Sequence, residues 1–182
     1  MSKIIPLFPS SPFSLSAIGV FGIWGVMTEI LIIGIGNPFR GDDAAGLVAA
    51  ALLREMQAPG VKVLELEGDL TGLMDGWQGA QKVAVIDAVA SASPPGAVFR
   101  FAAHEEPLPR QMFAASSSHA FGVAEQIEVA RSLGQLPPYL MVYGIEGKDF
   151  TPGADLSPEV REALPRLAEQ VRRDLGLDDL KK

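Results

Sequence analysis

The chain has 182 residues, 48% of them hydrophobic and 20% charged, a globular composition rather than a disordered one. It has no cysteine and two histidines, which excludes zinc ribbons, iron–sulfur clusters, thiol nucleophiles and disulfide frameworks and leaves only His104 and His119 for imidazole chemistry. The 15 basic against 22 acidic residues give a net charge of −7, a poor match to nucleic acid or an anionic membrane.

Residues 1–26 differ in character from the rest of the chain. Prolines and serines precede an apolar run from Ala17 to Val26, too short and too glycine-rich for a membrane span. Lys3 is the only base available to an export signal, and no Ala-x-Ala site comes after the run. The stretch reads as an N-terminal extension, disordered or lying upstream of a natural start at Met27. Beyond it, Glu29–Ile35 is a β-branched run suited to a strand buried on both faces, and Gly34, Gly36, Asn37, Pro38 and Gly41 make a turn. Ala44–Met56 reads as a helix with Leu47, Val48, Ala51 and Leu52 on its apolar face. Val61–Leu66 alternates as a strand, Leu70–Gln78 is a short helix, and Val83–Ile86 is a second buried strand ending at Asp87. The Pro94-Pro95-Gly96 turn leads into a strand at Ala97–Phe101, and Ser116–Leu133 reads as a helix capped by serines. Tyr139–Ile145 is a strand. Ser157–Leu175 is the last helix, with Ser157 as N-cap, Pro158 at the first position and Gly176 as the stop; Pro165 predicts a kink or a late start. The order βαβαββαβα predicts an α/β fold, a mostly parallel twisted sheet of about five strands with helices on both faces, three layers in α/β/α arrangement.

Sites in such sheets lie at the carboxyl ends of the strands, here residues 36–43, 67–72, Asp87 and 146–149. Gly34-Ile35-Gly36 has the start of a dinucleotide fingerprint, but Phe39 stands where a third glycine or alanine belongs. Asp42 and Asp43 would repel a pyrophosphate at the helix start, so no nucleotide is expected; the pair suits a cation. One aspartate accounts for capping and dipole complementarity, and the second asks for another explanation. Asp87 is a lone carboxylate among apolar residues, costly to bury unless paired or bound to metal; capping of the next turn is the competing reading. His119 comes after three serines at a helix start, where the dipole favours the neutral, metal-binding ring; a surface histidine beside a cap is the alternative. His104, in His104-Glu105-Glu106-Pro107, reads as a solvated loop residue. Together Asp43, Asp87 and His119 would offer two oxygens and a nitrogen, enough to hold Ni, Zn or Cd with positions left open.

At these residues the chain resembles the hydrogenase maturation proteases, endopeptidases that trim the C-terminal tail of the large subunit of nickel–iron hydrogenases after nickel insertion. The resemblance runs through Gly34-Ile35-Gly36-Asn37, Asp42-Asp43, Gly46, Glu67-Gly68, Thr71-Gly72, Val85-Ile86-Asp87-Ala88, Ser118-His119, Gly122 and Gly144-Ile145-Glu146, in order from Met27 to Leu175. It implies that Asp43, Asp87 and His119 are the metal ligands and catalytic residues, with Asp43 where the family often has glutamate. Glu67, where aspartate is commoner, takes a supporting role. It implies a nickel-dependent endopeptidase of aspartic or metal-dependent type, with Ni2+ supplied inside the substrate. The implied partner is a hydrogenase large-subunit precursor, and the expected setting is a cytoplasmic monomer with no nucleic acid or membrane partner. Residues 27–182 would form the single family domain. The other readings are a non-catalytic metal-sensing maturation chaperone and, less favoured, a dinucleotide-binding oxidoreductase.

Overall fold

The computed structural model describes residues 30–68, 70–113 and 122–178; the extension at 1–26 lies outside them. Five strands, β1 (Ile30–Gly36), β2 (Val61–Glu67), β3 (Lys82–Val89), β4 (Val98–Ala102) and β5 (Tyr139–Glu146), form one sheet in the order β2-β1-β3-β5-β4. The pairs β1·β2, β1·β3 and β3·β5 are parallel, and β4 joins β5 antiparallel. The sheet is therefore mixed, with one antiparallel edge strand on an otherwise parallel core. The β-branched runs of β1 and β3 and the apolar β5 are buried along nearly their whole length, because helices cover both faces.

On one face lie α1 (Ala45–Glu55) and α5 (Pro158–Leu175), whose Ala45, Ala49, Leu53, Val160, Leu164 and Leu167 pack on Ile30, Ile32, Ala84 and Ile86. On the other lie α2 (Leu73–Gly76), α3 (Arg110–Phe113) and α4 (Val123–Ser132), where Leu73, Phe113 and Ile127 meet Leu31, Ile33, Val83 and Val85. This is the expected three-layer arrangement. No helix among the described residues is long and apolar enough to cross a membrane.

Several elements differ from their sequence reading. In α1, Leu47 is buried as expected, but Val48, Ala51 and Leu52 are only partly covered; Ala45, Gly46, Ala49, Ala50 and Leu53 face inward. The cause is a close approach. A Cβ on Gly34 would stand 2.4 Å from the Gly46 carbonyl oxygen, and one on Gly46 would stand 2.3 Å from the carbonyl oxygens of both Ile35 and Ile86. The helix rides so low on the sheet that only small residues fit beneath it. Strand β3 does not end at Asp87 but runs on to Val89. Helix α4 starts at Val123, with the Glu125 carboxylate accepting the Gly122 N–H at 3.1 Å; the serines expected to cap it at 116–118 lie outside the described residues. Helix α3 has no counterpart in the sequence reading. Helix α5 runs unbroken from Pro158 to Leu175, with no late start. Its Pro165 faces solvent, where water can serve the carbonyl that the ring leaves without a donor. Gly176 ends the helix in the left-handed region at φ 72°.

Candidate active site

The ladder between β1 and β3 stops at Gly34 opposite Ile86. Strand β1 continues beside β2 to Gly36 opposite Glu67, and β3 continues beside β5 to Val89 opposite Glu146. The two central strands thus part company at their carboxyl ends, at the point where the chain order of the sheet reverses, the usual place for a site in an open α/β sheet. Gly46 of α1 sits over the split, between the carbonyls of Ile35 and Ile86. The glycines that look like a nucleotide fingerprint are accounted for by this packing. Gly36, at φ 153°, has no room for a Cβ because the Asp43 carbonyl fills that space.

From Gly36 the chain turns through residues 37–40. Asn37 Oδ1 accepts the Phe39 N–H at 2.9 Å, and Asn37 N–H donates to the Asp43 carbonyl at 3.2 Å. A short 3-10 turn, Gly41–Ala44, then delivers both aspartates to the carboxyl edge of the sheet. Their tasks differ. Asp42 is fully buried, and its carboxylate accepts the backbone N–H groups of Lys148 at 2.7 Å, Asp149 at 3.0 Å and Ser157 at 2.6 Å. It fastens the segment after β5 and the start of α5. Asp43 is also buried, and its charge partner among the described residues is Arg40, whose guanidinium lies 3.6 Å away and is partly exposed. Burial holds its carboxyl above the ordinary carboxylate range, and Arg40 partly offsets that rise.

Asp87 lies on β3 opposite Gly144 of β5 and is 5% exposed. Burial pushes its carboxyl well above the usual range, and the negative charge of Asp43 pushes it further; the Ala88 backbone amide opposes both. The structure therefore brings Asp43 and Asp87 close enough to repel. A fourth buried carboxylate, Glu146 at the end of β5, is fully engaged: it accepts Ser91 N–H at 2.9 and 3.0 Å and Ser91 Oγ–H at 2.7 Å. Among the described residues, then, four buried carboxylates line one sheet edge. Two are saturated with donors; of the other two, Asp43 has Arg40 at 3.6 Å, Asp87 has the Ala88 amide, and the charge of Asp43 acts on Asp87. The second pair is where a cation or a transferable proton would be favoured.

The remaining candidates fall elsewhere. Glu67 ends β2 on the same edge but is exposed, and it is not among the groups acting on either aspartate. His119 lies outside the described residues, and among those described no three His, Cys, Asp or Glu side chains gather to hold a metal ion. His104 does lie in the turn after β4, but its ring is partly buried rather than solvated. It lies tilted against Tyr139 with centroids 4.8 Å apart, and Nδ1 lies 3.0 Å from the Leu140 carbonyl oxygen. That places it at the start of β5, the opposite end of the sheet from Asp87. Sequence reasoning does not assign the roles of Arg40, Ser91 or the Asp42 clamp; the Asp42 and Ser91 partners come from distant parts of the chain.

The class is an open α/β sheet with a buried carboxylate pair at its reversal point, and comparison with known proteins narrows it. A family model described as hydrogenase maturation protease matches residues 47–174, a span that contains Asp87 and begins just after Asp43. The chain belongs to the hydrogenase maturation protease family. It is 32% identical to hydrogenase expression/formation protein HupD of Thiocapsa roseopersicina, over 79% of this chain and 66% of that protein, and so spans just under two thirds of that relative. The crystal structure of a hydrogenase 2 maturation peptidase from Thaumarchaeota archaeon SCGC_AB-539-E09 is similar at 27% identity and TM-score 0.60, covering 82% of this chain and 99% of the other. The solution structure of an endopeptidase from Escherichia coli is similar at 25% identity and TM-score 0.69, covering 81% and 91%.

Proposed function

We propose that the chain is an endopeptidase that removes the C-terminal peptide of a nickel–iron hydrogenase large-subunit precursor after nickel insertion. Asp43, Asp87 and His119 would meet the metal, and Glu67 would support the reaction. Family membership supports the protease reading. The observation that carries the site is the contrast among the buried carboxylates: Asp42 and Glu146 are saturated with donors, while Asp43 and Asp87 repel each other. A cation between them would relieve that repulsion, and carboxylate oxygens suit nickel with an imidazole completing the set. Nickel is here part of the substrate, so a precursor without it would lack the group that this pair is built to receive.

When present, the metal would polarise the scissile carbonyl. The chain's own contribution is twofold. It holds the two carboxylates at fixed positions on a rigid edge, and in the metal-free site it gives Asp87 a raised affinity for a proton, which an arriving cation would displace; a carboxylate oxygen left off the metal would then be placed to take a proton from the attacking water. Cytoplasmic action on a soluble precursor is part of the same reading. The test is to incubate the purified protein with nickel-loaded and nickel-free large-subunit precursor and weigh the products. Loss of a C-terminal peptide from the loaded form alone is the expected result. Binding of the loaded precursor without any loss of mass would favour the metal-sensing chaperone instead.

A further inference from the structure

Strand β4 pairs with β5 and, among the described residues, with no other strand. Among the described residues no strand covers its outer edge, whose backbone donors and acceptors are those an added strand would meet. Beside that edge runs a groove of about 770 Å3, walled by residues 94–98 and Arg100 on one side and by Arg166, Glu169, Gln170 and Arg173 of α5 on the other. Residues 166, 170 and 173 have the i, i+4, i+7 spacing of a single helix stripe. Val98 and Arg100, two residues apart, share one face of β4. Stripe and strand edge thus border the groove along its length.

The charge of the groove is set by which groups are already paired. Glu169 is held by Arg172 through two bonds, at 2.6 and 3.1 Å. Asp174 is taken by Arg100 Nε at 2.7 Å, the Tyr143 hydroxyl at 2.7 Å and Gln170 Nε2 at 3.0 Å. Arg166 makes no ion pair among the described residues, and Arg173 donates to the neutral Gln170 Oε1 at 3.2 Å. Arg173 also feels the charge of Glu169; the two guanidinium groups, about 10 Å apart along the helix, line this groove on a chain of net charge −7. The groove's wall at residues 94–97 lies at the candidate active site's end of the sheet. The Gly96 N–H donates to the Glu146 carbonyl at 2.8 Å, and β4 lies two strand spacings, roughly 10 Å, from Asp87 on β3.

We propose that this groove is a docking site for an extended acidic polypeptide segment, which adds as a strand to the outer edge of β4 and sets its carboxylates on Arg166 and Arg173. Edge addition supplies main-chain hydrogen bonds, and the arginine stripe supplies the sequence preference. That the segment belongs to the processed precursor rests on the endopeptidase reading; the groove's chemistry does not.

The test measures binding separately from cleavage. A short fluorescent peptide of alternating Glu and Thr is titrated with the full chain by anisotropy, beside a Lys-Thr peptide of equal length. The acidic peptide should bind, more weakly as salt rises, and the basic one should not. Arg166→Glu with Arg173→Glu should weaken binding by about tenfold or more. Arg166→Gln with Arg173→Gln, checked by thermal melt to be folded, should weaken it less. Asp87→Asn should bind the peptide as the unaltered chain does. Equal binding of both peptides, or wild-type binding by the charge-reversed variant, overturns the proposal. If the peptide result holds but no precursor is cut, the endopeptidase reading fails and the groove stands. If the charge-reversed variant cuts precursor with unchanged kcat/KM, the groove does not serve that substrate and this assignment of its partner is wrong.

Discussion

Asp87→Asn should make the metal-free protein more stable. Asp87 is buried, its carboxyl is held well above the ordinary range, and the causes are burial first and the charge of Asp43 second. An acid whose folded pKa lies above its unfolded value keeps its proton longer in the folded state. Its contribution is therefore most favourable below about pH 4, the unfolded value, and is lost as pH rises through the folded one. Each unit of upward displacement costs about 1.4 kcal/mol once both states are ionised. Asparagine keeps the shape and an oxygen for the Ala88 amide, but it brings two N–H donors that need partners. Balancing these, the net gain should be about 1–2 kcal/mol, a Tm rise of about 2–8 °C for a chain of this size. Melts of both proteins in chelator from about pH 5 to about pH 8 should show a gap that widens with pH, because only the wild type loses stability as Asp87 ionises. A variant that melts lower than the wild type at the alkaline end, or a gap that stays constant across the range, would refute the reasoning and make Asp87 a structural carboxylate that its surroundings stabilise.

Asp42→Ala should behave in the opposite way, costing about 3–5 kcal/mol in urea denaturation because three backbone N–H groups lose their acceptor at once; a cost under about 1 kcal/mol would mean that the segment after β5 is held by other means. Gly46→Ala should cost about 2–4 kcal/mol by overpacking, since the new Cβ meets two backbone carbonyls at 2.3 Å; an unchanged denaturation midpoint would show that α1 lifts freely from the sheet. Glu67→Gln is exposed and should melt within about 0.5 kcal/mol of wild type, yet slow precursor cleavage by about tenfold or more if the residue supports the reaction; wild-type cleavage would remove it from the site.

The strands are legible in the sequence because β-branched runs such as Ile30–Ile35 and Val83–Ile86 have few other places to go than the middle of a sheet covered on both faces. The carboxyl-edge rule then points to the candidate site, and Asp43 and Asp87 do stand beside the same split. Sequence does not resolve the division of labour between identical neighbours. Asp42 and Asp43 are the same residue type, and the amides that distinguish Asp42 lie 106 to 115 residues away. The inward face of α1 is hidden for a related reason. Hydrophobicity ranks Val48 and Leu52 above Gly46 and Ala50, but the helix-to-sheet distance is set by Gly34 on another element. The setting of His104 is equally non-local, because the aromatic ring and carbonyl that hold it belong to Tyr139 and Leu140, on a neighbouring strand.

Two repelling carboxylates survive side by side only if neither can move away, and the other two buried acids explain why they cannot. The Asp42 clamp ties the 3-10 turn that carries Asp43 to Lys148, Asp149 and Ser157. On the other side, Asp87 lies in a stretch of β3 paired to β5 up to Glu146, and Glu146 grips Ser91 just beyond the strand. That grip closes a loop in which Ala92 sits at φ 64°, a conformation costly for a residue with a side chain. The donors in both clamps are backbone amides and a serine hydroxyl that carry no charge, so they hold the edge without neutralising the pair. A loop-borne pair would relax apart and give up its raised proton affinity. Held from both sides, it keeps that affinity for whatever enters the split between β1 and β3, the geometric condition for a preorganised electrostatic site.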